Sequence, residues 1–265
     1  MPKRRRKKKK NNNKALIIVT LIVAALGAYI YFAYNHHKKE VEARFALYPD
    51  FAIQLPLGYK IHGIDVSSYQ GNIYWPAVAA MQDQDVNIRF AFIKATEGLN
   101  NVDRQFKHNW QNAKSANITR GAYHFFLATR SGKLQAQNFI KTVQLQAGDL
   151  PPVLDIEELY GVRADSMRNR ILVWLQTVEK YYGVKPIIYT NVSFYKNFLG
   201  SDFDSYPLWV AHYFVQQNPG IKNGWQFWQH NAAGKVNGIK TRVDFNVFSG
   251  DTISFGNLLV PPHNF

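Results

Sequence analysis

Five of the eighteen acidic residues in this 265-residue chain fall where short apolar runs end. Asp65 follows His62-Gly-Ile, Glu97 follows Phe92-Ile-Lys-Ala-Thr, Asp155 and Glu157 close Pro152-Val-Leu, and Asp244 stands in Val243-Asp-Phe. Asp155 and Glu157 are two apart, so on an extended strand both side chains take one face and Leu154 and Ile156 the other. Their backbones are then about 6.6 Å apart. Two carboxyls that close in a partly dry pocket raise the proton affinity of at least one of them, leaving a protonated acid beside an ionised one. Glycosidic cleavage needs that pair: a proton for the leaving oxygen, and a negative group to stabilise the sugar cation, attack it or position a nucleophile. A structural pair bonded to arginine or backbone is the competing reading. The spacing fits either the nearer or the wider carboxyl separation, so it leaves the stereochemical outcome open. Tyr123, Tyr189, Trp209, Tyr213 and Trp228 lie at or near the same run ends, and aromatic rings there would suit the apolar faces of sugars.

Other chemistries find little support. Cysteine is absent, which removes disulfides, thiolate catalysis and Cys-ligated metals. His124, His212 and His230 have no metal-ligand spacing. No phosphate loop or nucleophile elbow occurs. Neither a metal nor an organic cofactor is expected.

The acids need a frame that converges them. From residue 60 on, short apolar runs alternate with segments of helical period, the signature of strand-helix units around a largely parallel sheet. Candidate strands cover 61–66, 88–95, 119–126, 152–156, 186–190, 208–212, 225–229 and 241–245. Phe106, Trp110 and Ala113 mark one helix face, and Met167, Ile171, Trp174, Leu175 and Val178 a longer one ending at Gly183. The last three strands lie too close in sequence for full helical crossovers, so at least one should run antiparallel. The expectation is an α/β fold: a TIM-like barrel of eight strands with five strand-helix units and three closing strands, its polar residues gathered at the carboxyl ends.

A separate segment precedes the barrel. The net charge is +14, but nine cations and no acid occupy residues 1–14, so 14 less 9 leaves +5 for the rest. Residues 15–34 carry no charge, and twenty helical residues reach about 30 Å, the hydrocarbon thickness of a bilayer. Their length and aromatic end favour a retained transmembrane anchor over a cleaved signal peptide. The cation imbalance keeps the basic tail cytoplasmic and exports the remainder, a single-pass topology in the cytoplasmic membrane. Tail cations beside a span bind anionic lipid, and nucleic acid is not expected as a partner. The domain reading is 1–14 basic tail, 15–34 anchor, 35–59 tether and 60–265 barrel.

In order, the motifs His62-Gly-Ile-Asp-Val-Ser-Ser-Tyr-Gln-Gly71, Phe92-Ile-Lys-Ala-Thr-Glu-Gly98, Gly121-Ala-Tyr-His-Phe125, Pro152-Val-Leu-Asp-Ile-Glu157, Pro186-Ile-Ile-Tyr-Thr190, Leu208-Trp-Val-Ala211, Trp225-Gln-Phe-Trp-Gln229 and Val243-Asp-Phe-Asn246 resemble glycoside hydrolase family 25, the muramidase-type lysozymes. The resemblance implies cleavage of the β-1,4 bond between N-acetylmuramic acid and N-acetylglucosamine in peptidoglycan glycan strands. It implies Glu157 as proton donor, Asp155 as the partner that orients and polarises the substrate acetamido group, and Asp65 and Asp244 as further pocket acids. The acetamido oxygen would act as internal nucleophile, with retention. Glu97, Tyr123, Tyr189, Trp209 and Gln229 match positions that line the family's substrate cleft. One departure is Tyr74, which stands where relatives carry an acid. Two alternatives remain at this stage: a glycan-binding scaffold without turnover, and the same chemistry on another N-acetylated polysaccharide.

Overall fold

Eight strands close into a barrel in the computed structural model, which describes residues 13–42, 44–213, 218–222 and 224–262. They are β1 (His62–Val66), β2 (Val86–Glu97), β3 (Thr119–Phe125), β4 (Val153–Asp155), β5 (Ile187–Asn191), β6 (Leu208–Ala211), β7 (Phe227–Gly234) and β8 (Val243–Phe248). Neighbours from β1 to β7 pair in parallel. β8 is antiparallel to both β7 and β1 and seals the ring, as the short late connections require. The five strand-helix units hold as well. α2 (Trp75–Ala80), α3 (Phe106–Ser115), α4 (Gly132–Thr142) and α5 (Ala164–Tyr182) follow the first four strands, and short helical turns over 192–203 follow β5.

Two apolar layers result from the period-two strands. Phe90, Phe92, Val153, Ile187, Trp209, Phe227 and Phe248 fill the barrel, while Ile64, Ile93, Leu154, Ile188 and Val210 face the helices. Interior packing matches small residues to large. A Cβ on Gly121 would come within 2.6 Å of the Phe92 ring, and one on Gly63 within 2.5 Å of Phe90, so only glycine admits these aromatics at that density. The barrel floor is closed by Phe255 of α6 (Thr252–Leu258), whose ring centre lies 5.2 Å from that of Phe248 and 5.9 Å from that of Phe90. Polar side chains therefore collect at the opposite, carboxyl-terminal end. On α5, Met167, Ile171, Trp174, Leu175, Val178 and Tyr182 form the buried stripe, and Gly183 ends the helix in the left-handed region at φ 70°.

The region expected as a tether is structured over much of its length. Phe45–Tyr48 and Ile53–Pro56 pair as an antiparallel hairpin, and Tyr48, Phe51, Ile53 and Leu55 are buried in the outer core layer. Phe51 sets its ring 5.2 Å from that of Phe245, and its carbonyl accepts from Lys235 N at 2.8 Å. Two four-residue strands give too short a run for alternation to register in sequence. Their stability comes from the barrel wall, as expected of a two-stranded ribbon that is marginal alone.

The N-terminal unit, Met1–Arg44, is distinct from the barrel unit, Phe45–Phe265. Its helix α1 spans Asn13–Glu42. Ile17–Asn35 within it is apolar enough to cross a membrane, and the large apolar side chains there are exposed.

Candidate active site at the barrel mouth

Strand direction explains how the acids meet. Asp65 lies near the carboxyl end of β1, and its register partner is Asp244. Because β8 runs the other way, its second residue reaches the rim that the parallel strands reach with their last. Asp155 ends β4 and lies opposite Phe125 and Tyr189 of the flanking strands. The ladder continues one step further through Ile156 N, which donates to Tyr189 O at 3.0 Å. That bond holds the backbone on which Glu157 stands. Glu97 ends β2.

Asp65 sits within a connected network. Its Oδ2 accepts from Gln229 Nε2 at 2.7 Å and Asn246 Nδ2 at 2.8 Å. The Gln229 Oε1 in turn accepts from Tyr189 OH at 2.6 Å and from Tyr213 OH. Asn246 Oδ1 accepts from Trp209 Nε1 at 2.8 Å. Each amide is thereby oriented with its NH2 toward the carboxylate. Burial first, and then the Asp244 charge, still push the Asp65 carboxyl well above the usual range against these donors.

Asp155 is 6% exposed, and among the described residues no donor faces its buried Oδ1. Burial, followed by the Glu157 charge, holds its carboxyl well above the ordinary value. Glu157 is exposed as a residue, but partial burial of its carboxyl end raises its proton affinity too, with Asp155 and Lys94 opposing the rise and Glu158 adding to it. Both carboxyls of the pair therefore hold protons more readily than isolated ones. Asp244 is pushed up to about 6 by burial and by the Glu157 charge. The cation that bears on both Asp155 and Glu157 is Lys94, which bonds Glu97 at 2.7 Å and lies 4.8 Å over the Phe125 ring.

The expected site residues separate by depth. Asp65, Asp155, Tyr189, Trp209 and Gln229 are buried, whereas Glu97, Tyr123 and Asp244 are half-buried. Trp209 is 2% exposed, stacked on Phe92 at 4.2 Å between ring centres, so it supports Asn246 from below the mouth. Trp228 is on the outer face, where its Nε1 donates to His212 O at 2.9 Å. His124 also points outward, with Nδ1 2.7 Å from Thr96 Oγ1 and its ring stacked on Trp174. Asn246 and Lys94 join the site without having been expected there. Both carry a signal at period two, Asn246 with Asp244 and Lys94 with Phe90 and Phe92.

Residues 64–239 match Glycosyl hydrolases family 25. The chain belongs to this family. It is 48% identical over 200 residues to uncharacterized protein YegX of Escherichia coli strain K12, covering 76% of this chain and 74% of that one. It is 37% identical over 210 residues to lysozyme M1 of Streptomyces globisporus, covering 72% and 68% respectively. Among solved structures, a bacterial lysozyme from Streptomyces coelicolor superposes with a TM-score of 0.69 at 35% identity, covering 76% of this chain and 97% of that one. As a family 25 member the protein is a glycoside hydrolase, and the barrel is the family's fold.

Proposed function

We propose that this family 25 hydrolase is a membrane-anchored N-acetylmuramidase that cuts the β-1,4 bond between N-acetylmuramic acid and N-acetylglucosamine in peptidoglycan. Relatives named lysozyme and N,O-diacetylmuramidase support the substrate class. The observation that carries the reading is the buried Asp155 Oδ1, which has no hydrogen-bond partner among the described residues and belongs to a carboxyl raised by burial and by the Glu157 charge.

An acetamido N–H placed against Asp155 Oδ1 favours the ionised form of that carboxyl and moves its proton to Glu157. Glu157 then protonates the leaving glycosidic oxygen as the bond breaks. The acetamido carbonyl oxygen, polarised through its N–H by Asp155, attacks the anomeric carbon and forms a cyclic intermediate. Water deprotonated by Glu157 opens that ring, restores the acetamido group and leaves the configuration retained. Such substrate assistance is one of the known departures from the two-carboxylate scheme. Asp244, ionised above about pH 6, adds negative potential opposite the developing positive charge, and Asp65 stands across the ladder from it.

The apolar helix through Ile17–Asn35, about 28 Å long at 1.5 Å per residue, would hold the barrel at the cytoplasmic membrane, with the cation-rich tail inside. Resistance of the chain to alkaline extraction from membranes, with the barrel accessible to protease from the outer side, is the expected result. Release by alkali would remove the anchor. For the chemistry, purified peptidoglycan is incubated with the protein and the new reducing ends are identified. Muramic acid ends support the assignment, glucosamine ends move the cut to the other bond, and binding without new ends leaves only a scaffold.

A further inference from the structure

Three residues beyond Glu157, the chain makes a tight turn in which Val162 N donates to Leu159 O at 3.0 Å. Both central residues have positive φ: Tyr160 at 50° and Gly161 at 74°. This is the type I′ pattern, which favours glycine, asparagine or aspartate at its first central position. A bulky aromatic there is an outlier, and held outliers of this kind gather at functional sites. The Tyr160 side chain is 43% exposed, and among the described residues it has neither a hydrogen bond nor a ring partner. Tyr160 follows Glu157 by three residues, and partial burial, then the charges of Glu158, Glu157, Asp155 and Glu97, raise the pKa of its phenol, in keeping with a place beside the acidic mouth.

We infer that Tyr160 is a substrate-positioning residue, its exposed ring forming a platform for the apolar face of a sugar in the glycan strand next to the bond that is cut. The inference rests on the muramidase reading above. The turn fixes the backbone of Tyr160 three residues beyond Glu157 before substrate arrives, so little main-chain freedom is lost on binding. Ring stacking of this sort contributes to ground state and transition state alike, which places its effect in KM.

Strain and platform can be separated, because glycine relieves the first and removes the second. The full chain in mild detergent is assayed on soluble, uncross-linked glycan strands prepared from peptidoglycan. Tyr160→Gly is expected to raise KM about tenfold with kcat within about twofold, and at the same time to raise Tm. Tyr160→Phe is expected to keep the original KM. An unchanged KM in Tyr160→Gly, a fall in its Tm, or a KM for Tyr160→Phe as high as that for Tyr160→Gly would each overturn the platform. If the unmutated protein fails to cleave, the muramidase reading falls. Co-sedimentation with insoluble peptidoglycan then decides Tyr160 separately: weaker retention of Tyr160→Gly upholds it, and equal retention or none by either protein rejects it.

Discussion

Asp65 and Asp244 occupy directly opposed positions on the antiparallel neighbours β1 and β8, although 178 residues separate them in sequence. Like charges facing across a ladder destabilise it, and here each carboxyl is also partly or wholly withdrawn from water. A folded-state value raised above the unfolded one contributes stability that is complete below the unfolded value and is lost as pH rises through the folded value. For Asp244, the loss falls between about pH 4 and its folded value of about 6. Tm is therefore expected to fall by a few degrees between pH 4.5 and 7.5. Asp244→Asn should flatten that slope, and calorimetry on both proteins checks it.

Gln229 holds Asp65 on one side and the Tyr189 and Tyr213 hydroxyls on the other. Gln229→Leu leaves those groups without their amide partner inside a closed barrel. A loss of about 2–4 kcal/mol in denaturant unfolding is expected, with glycan cleavage reduced as the Asp65 carboxyl loses a donor.

Glu157→Gln keeps the size and hydrogen-bonding capacity of the proposed proton donor but cannot release a proton. Turnover of peptidoglycan is expected to drop by about a thousandfold or more. Tm should stay level or rise, since one charge leaves a crowded acidic mouth. Near-normal release of reducing ends by this variant would contradict the assigned role.

Lys94 lowers the proton affinity of both Asp155 and Glu157. In Lys94→Met both carboxyls hold protons to higher pH, so the acidic and alkaline limbs of the kcat/KM profile should shift upward together. Lys94→Arg, which keeps the charge, should restore the profile. Limbs that stay in place in the methionine variant would show that Lys94 serves Glu97 alone.

Phe51, fully buried against Phe245, tests the hairpin as an integral part of the barrel. Phe51→Ala should cost about 3–5 kcal/mol of folding stability, measured by urea unfolding. A change within 0.5 kcal/mol, as is usual for surface positions, would return this segment to the status of a tether.

Asp65, Glu97, Asp155 and Glu157 were legible in the sequence because they fall where short apolar runs end, whereas Asp244 reaches the same rim from the start of the antiparallel β8. Period-two spacing placed Asp155 and Glu157 together, and the connection lengths foretold an antiparallel member among the closing strands, which is β8. The hairpin at 45–56 was not legible: its two strands are too short to show a period and are held by Phe245 and Lys235, residues nearly two hundred positions away. Nor could spacing reveal that Trp209 lies beneath the mouth or that Trp228 faces outward. Local sequence determined which residues are strand, helix or rim, since backbone periodicity acts over a few neighbours. Tertiary structure alone decided which rim groups face one another, because Asp65 meets its two amide donors across 164 and 181 residues, and only closure of the barrel brings such distant hydrogen-bonding groups out of water together.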